Sequence, residues 1–300
     1  MNVSSEPSST QDPIRTREVN WLVVALFVGV SSGLFMLLPA FEHVTWLRDL
    51  LAGPSWRANA FIFATLLFVA VAGIIFGLGR LRPADVGLRL DKLGEGIIVT
   101  VTVWLLMQLI EVVGDIATSS TITIAPSWIR NGIGVTLAWT AVMFLGTALY
   151  EEIAYRGFLF PQLYLKIGGT HRARFWIALL LSQVVFAATH IPAHVTLRHL
   201  SGSALWTTVV LQGITGGMLV LLYLRTRNLW ISIGLHGLAN APTPLVGGAS
   251  GFEVFLVILV IGWPWIARRP QHRRFARVKS LAETPTSSET RPNGPRMGQP

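Results

Sequence analysis

Glu151, Glu152, Arg156, His190, His236 and Asn240 stand out because each lies in a stretch that is otherwise apolar. An ionisable side chain at the centre of a bilayer costs about 2.5–3.5 kcal/mol even on the gentler scales, so such residues face a partner or a polar interior. Their types suit one kind of chemistry. A carboxylate next to a neutral imidazole can take a proton from water, and a second imidazole or an amide can donate a hydrogen bond to the oxyanion that forms.

Helix spacing divides these residues. Glu152 and Arg156 are four apart and share a face, as do His236 and Asn240. Glu151 points about 100° away from Glu152 and has no partner on its own helix. Glu152, held by Arg156, is expected to stay ionised and structural, which leaves Glu151 as the carboxylate suited to act as a base.

The apolar run that carries Glu151 continues past the charges through Phe158, Phe160, Leu163 and Ile167. At ~1.5 Å per residue, Glu151 then lies ~24 Å from Ile167, and the helix leading from Arg174 places His190 at the same depth. His236 is only ~12 Å beyond Asn228 by the same rise, so its helix must start deeper or tilt to meet them.

Eight apolar stretches provide the elements that position these groups: approximately Trp21–Phe41, Phe61–Leu78, Ile97–Ile116, Gly132–Tyr150, Phe175–His190, Leu205–Leu224, Leu229–Ala241 and Phe252–Ala267. Composition agrees. Of 300 residues, 52% are hydrophobic and 13% charged, whereas soluble domains run at about 45–50% and about 25%. The fold class read from this is an all-α membrane protein of about eight transmembrane helices, with a polar cavity formed by the fourth, fifth and seventh. The chain divides into a flexible tail (1–16), three N-terminal helices (17–130), a core (131–245), a last helix (246–267) and a basic disordered tail (268–300).

Charge placement sets an expected topology, because loops kept in the cytoplasm collect Lys and Arg. With eight spans, nineteen of the 24 basic residues fall on the side of the two termini. Only Arg48, Arg57, Arg130 and Arg198 fall opposite, and Arg156 lies at membrane depth. Both termini are therefore expected in the cytoplasm of a multi-pass cell-membrane protein. The net charge of +9 is concentrated in the C-terminal tail, where it reads as a membrane anchor with no nucleic-acid partner. The absence of cysteine removes thiolate chemistry and disulfides from consideration.

The same residues carry a family resemblance. Glu-Glu-Ile-Ala-Tyr-Arg-Gly at 151–157, Phe-Ala-Ala-Thr-His at 186–190 and His-Gly-Leu-Ala-Asn at 236–240 resemble, in order, the three motifs of the CAAX prenyl protease and bacteriocin-processing (Abi, CPBP) family of intramembrane endopeptidases. The likeness extends over roughly 130–245, including Gly216, Gly217, Thr226, Leu229 and Trp230. The resemblance implies a helical membrane protease in which Glu151 and His190 activate water while His236 and Asn240 stabilise the oxyanion. Glu152, Arg156 and Phe186 are supporting residues on this reading.

No cofactor is required by this scheme, although two histidines and a glutamate also form a possible zinc set with an open position. The partners expected are the lipid bilayer and a peptide or membrane-protein substrate. Prenylated substrates belong to the eukaryotic members, whereas the Arg-rich, Lys-poor composition points to a bacterial chain. Two other functions use the same polar residues: an ion-coupled transporter, which would show internal repeats, and a non-catalytic immunity or binding protein on the same scaffold. Glu111 and Asp115, four apart near the end of the third stretch, read as an interfacial pair. His194, Arg198 and His199 read as a solvated loop.

Overall fold

In the computed structural model the residues described are 16–36, 45, 65–118, 121–246 and 252–266, and nearly all of them are helical. The residues up to Ile261 form one compact unit; of a second unit that begins at Gly262, residues 262–266 are described. Among the described residues four helices are long and apolar enough to cross a membrane, and shorter apolar ones accompany them. Their outward faces are apolar, with Leu105, Leu109, Ile110, Leu180, Val184 and Val210 all exposed. An apolar surface of that extent on long helices is a lipid surface.

Helix α1 covers Trp21–Met36 and α2 covers Thr65–Leu78. The expected ends of these stretches at 37–41 and 61–64, like both tails and the basic residues Arg48 and Arg57, lie outside the described residues. Between α2 and the next helix the chain makes two short 3₁₀ turns, Pro83–Val86 and Leu90–Lys92. Helix α3 is Leu93–Ala117 and α4 is Pro126–Lys166. Helix α5 is His171–Thr196, α6 Gly202–Thr226, α7 Leu229–Asn240 and α8 Phe252–Ile266. Each of the eight apolar stretches thus contains a helix, and the fourth continues past the charges to Lys166, as its apolar run indicated.

Local sequence explains the helix ends that matter. Pro126 opens α4 at the position where a missing N–H costs nothing, and Gly132, at φ 76°, kinks its first turns. Thr170 caps α5 by accepting a hydrogen bond from the Ala173 N–H at 3.3 Å. Asn228 does the same for α7, accepting from the Trp230 N–H at 3.0 Å.

The start of α7 resolves the depth mismatch seen in the sequence. Asn228 is fully buried, and its amide donates to the Lys92 carbonyl at 2.9 Å. The Trp230 indole donates to the Arg89 carbonyl at 2.9 Å. The 79–92 segment therefore covers the first turn of α7, and the short helix begins inside the protein. Its far end is fixed as well. The extended residues after Asn240 accept hydrogen bonds from the Trp104 indole to Thr243 O at 3.2 Å and from the Trp128 indole to Pro244 O at 2.6 Å. Gln108 accepts from the Leu245 N–H at 2.7 Å.

Sideways, α7 lies close enough to its neighbours to need glycine. A Cβ on Gly237 would stand 2.6 Å from the Phe144 ring on α4. Gly237→Ala is therefore expected to destabilise by about 1–3 kcal/mol through overpacking. Gly217→Ala on α6, whose Cβ would meet its nearest neighbour at an ordinary 3.8 Å, is expected to be neutral or slightly stabilising. Thermal unfolding of the two variants in detergent checks this, and equal midpoints would contradict the close α4–α7 contact.

Candidate active site

Glu151 and Glu152 lie in the middle of α4, whose backbone widens into π-helical turns at Val142–Ala148 and Glu152–Leu159 on either side of Glu151. Such turns are rare and concentrate at functional positions. Every residue from Tyr150 to Tyr164 is buried, so both carboxylates are held within protein. Glu152 Oε1 stands 3.2 Å from Arg156 Nη1, with both side chains fully buried. The guanidinium also lies 4.4 Å over the Phe186 ring on α5, a cation–π contact that offsets part of the cost of burying the charge. This is the ion pair expected from the four-residue spacing, with Phe186 as its packing partner.

His190 comes from the neighbouring α5. Its Nδ1 lies 2.8 Å from the Phe186 carbonyl, which can only accept, so Nδ1 carries the hydrogen. The ring packs edge-on to Phe186 at 4.8 Å and stacks on Phe35 of α1 at 5.9 Å. Its other nitrogen, Nε2, is 3.5 Å from Glu151 Oε1.

His236 comes from α7 and meets both carboxylates. Its Nδ1 is 2.7 Å from Glu152 Oε1 and its Nε2 is 3.5 Å from Glu151 Oε2. The two imidazoles thus bracket Glu151, each presenting Nε2 to a different carboxylate oxygen while its Nδ1 is committed elsewhere. Glu151 Oε2 makes no hydrogen bond of its own. Three titratable side chains thus face one another inside the protein.

The remaining sequence-derived residues make no hydrogen bond or ion pair with Glu151 or Glu152. Asn240 is the last residue of α7, exposed, one turn beyond His236. His194, expected in a solvated loop, is instead buried inside α5 and lies 2.8 Å from Gln212 Oε1. The helix continues through Pro192 to Thr196, because a proline in a helix kinks it without always ending it. Glu111 and Asp115 are half-buried in the closing turns of α3, remote in sequence from the three motifs. Among the described residues no group of three or more His, Asp or Glu side chains is arranged to hold a metal ion.

Sequence reasoning missed a buried hydroxyl chain beside the site. Tyr155 Oη lies 3.5 Å from Ser31 Oγ and 3.3 Å from Thr189 Oγ1, and Thr189 donates to the Phe186 carbonyl at 2.8 Å. Tyr155 and Thr189 lie inside the motifs and were findable there. Ser31 sits in an apolar helix of the N-terminal part and carries no signal of its own.

Residues 133–242 match the family described as type II CAAX prenyl endopeptidase, Rce1-like. No curated protein and no solved structure matches the chain. The matched segment contains all three motifs and every side chain of the Glu151 cluster supplied by α4, α5 and α7, so it is over residues 133–242 that this membrane protein is similar to the CAAX-protease family.

Proposed function

We propose that this protein is an intramembrane endopeptidase that hydrolyses a peptide bond of a membrane-associated peptide or protein with a water activated by Glu151 and His190. One observation carries the reading: the Nε2 atoms of His190 and His236 stand 3.5 Å from opposite oxygens of Glu151. His190, with its hydrogen on Nδ1, presents a lone pair at Nε2, and the Glu151 carboxylate presents lone pairs in return. Acceptors that face one another are reconciled by a donor between them. A water seated beside His190 and Glu151 donates one O–H to each and keeps an oxygen lone pair free for a carbonyl carbon.

In this scheme Glu151 takes the proton as the water attacks, with His190 orienting it. His236 and Asn240, one turn apart on α7, donate to the oxyanion. The site works without a metal. Losing one donor of this kind typically costs ~10²–10³ in turnover, so Asn240→Ala is expected to lower kcat by that order with KM little changed. The test uses purified protein in liposomes and internally quenched peptides with and without a farnesylated cysteine near the C-terminus. Cleavage that survives exhaustive chelation, with the kcat loss in Asn240→Ala, supports the scheme. Inactivation by a chelator and recovery on adding zinc would overturn it and make Glu151, His190 and His236 a metal set.

The proposal includes the layout: eight spans in the cell membrane of a bacterium, both termini cytoplasmic, with the 131–245 core between two helical flanks. It follows the concentration of basic residues on one side. A reporter fused after Pro300 is expected to be active only when it is one that works in the cytoplasm. Activity of a periplasmic reporter at that point would make the span count odd.

A further inference from the structure

We infer that Glu152 is a positioning residue: through the 2.7 Å hydrogen bond to Nδ1 it keeps His236 as an imidazolium, so that the Nε2–H of His236 is the site's proton donor. This deepens the endopeptidase reading and rests on it.

The inference follows from hydrogen bookkeeping. Glu152 Oε1 is also 3.2 Å from Arg156 Nη1, so this carboxylate is ionised and can only accept, and Nδ1 of His236 must carry a hydrogen. A neutral ring then has no hydrogen on Nε2 and cannot donate to an oxyanion from the nitrogen that faces the site. Only the charged ring can.

Charge balance leads to the same state. The groups facing His236 are Glu151, Glu152 and Arg156, all from α4, with His190 of α5 on the other side of Glu151. Among the described residues, the other helices against α7 add no charge near the ring. Helix α3 meets it through Thr100 at Gly234, and the 142–148 turns meet it through Phe144 at Gly237. Glu95 of α3 lies by Asn228, at the start of α7, and Arg225, the one charged residue of α6, is in that helix's last turn. With His190 neutral, as its water-orienting role requires, two carboxylates and one guanidinium leave a net negative site when His236 is neutral and a balanced one when it is charged. A buried site strongly favours the balanced state.

The proton count then closes over a turnover. Water gives one proton to Glu151 as its oxygen bonds to the carbonyl carbon. His236 Nε2–H donates to the oxyanion and passes its proton to the leaving nitrogen as the C–N bond breaks. Glu151 returns the proton it holds to Nε2, 3.5 Å from its Oε2, and the imidazolium is restored.

Two measurements test this. The first is ¹⁵N NMR of histidine-labelled protein in nanodiscs at neutral pH, with the His236 signals identified by their loss in His236→Gln. Hydrogen on both ring nitrogens of wild-type His236 is expected, and a neutral ring would overturn the inference even if no substrate is ever cleaved. The second is the pH–rate profile of Glu152→Gln on the quenched peptide. Gln still accepts from Nδ1 but does not hold the charge, so kcat is expected to fall 10–100-fold, with KM unchanged and the alkaline limb displaced to lower pH. A profile superimposable on wild type after correction for folded protein would reduce Glu152 to a structural partner of Arg156. Failure of the endopeptidase reading itself reads out differently, as wild-type protein that cleaves none of the peptides.

Discussion

Glu151→Gln is expected to lower peptide cleavage by at least 10²–10⁴-fold, the usual contribution of a positioned general base, while the protein still folds. The amide keeps the shape of the carboxylate and can accept from one neighbour, so the packing of α4 against α5 and α7 is not disturbed. What it loses is the ability to take a proton from water. Because Glu151 belongs to no ion pair with an arginine or lysine among the described residues, its neutralisation orphans no permanent charge. Retained yield and unfolding midpoint with no turnover is the signature. Wild-type rates in Glu151→Gln would remove this residue from the mechanism.

Arg156→Ala is expected to fail in the opposite way, by losing folded protein. Arg156 and Glu152 are both fully buried, and removing one member of a buried pair typically costs about 3–5 kcal/mol; here it leaves Glu152 with His236 alone. Such a loss is a large part of the roughly 5–15 kcal/mol that stabilises an ordinary domain. The truncation also empties the space over the Phe186 ring, on which the guanidinium rests at 4.4 Å. Size-exclusion chromatography of detergent-solubilised protein measures the monodisperse fraction, and a yield equal to wild type would show that the pair contributes little to the fold.

These two residues also mark what the sequence made legible. The pairing of Glu152 with Arg156 follows from a spacing of four on one helix, and the meeting of Glu151 with His190 follows from counting the rise along two helices of matched length. Both are properties of single helices that start from a recognisable end. The contact of His236 with Glu152 is of another kind. It depends on how α7 is rotated against α4, which glycines such as Gly237 permit and which the burial of Asn228 under the 79–92 segment fixes in depth. No periodicity within one helix encodes the rotation of another. The π turns around Glu151 add to the difficulty, since they shift side-chain directions away from those of a regular helix. His194 was misplaced for a simpler reason. Pro192 reads as a terminator in sequence, but neighbouring helices stabilise the turn beyond it, and Gln212 of α6 binds the histidine there.

The central claim, that a carboxylate at membrane depth drives peptide-bond hydrolysis, is tested most directly by the peptides of a membrane containing this protein. Membranes carrying wild-type protein and membranes carrying an equal amount of folded Glu151→Gln are compared by mass spectrometry for new peptide termini. The account predicts a set of termini present with wild type and absent with the variant, each arising from a membrane-associated peptide or protein. Identical sets of termini, with both proteins folded and inserted, would contradict it.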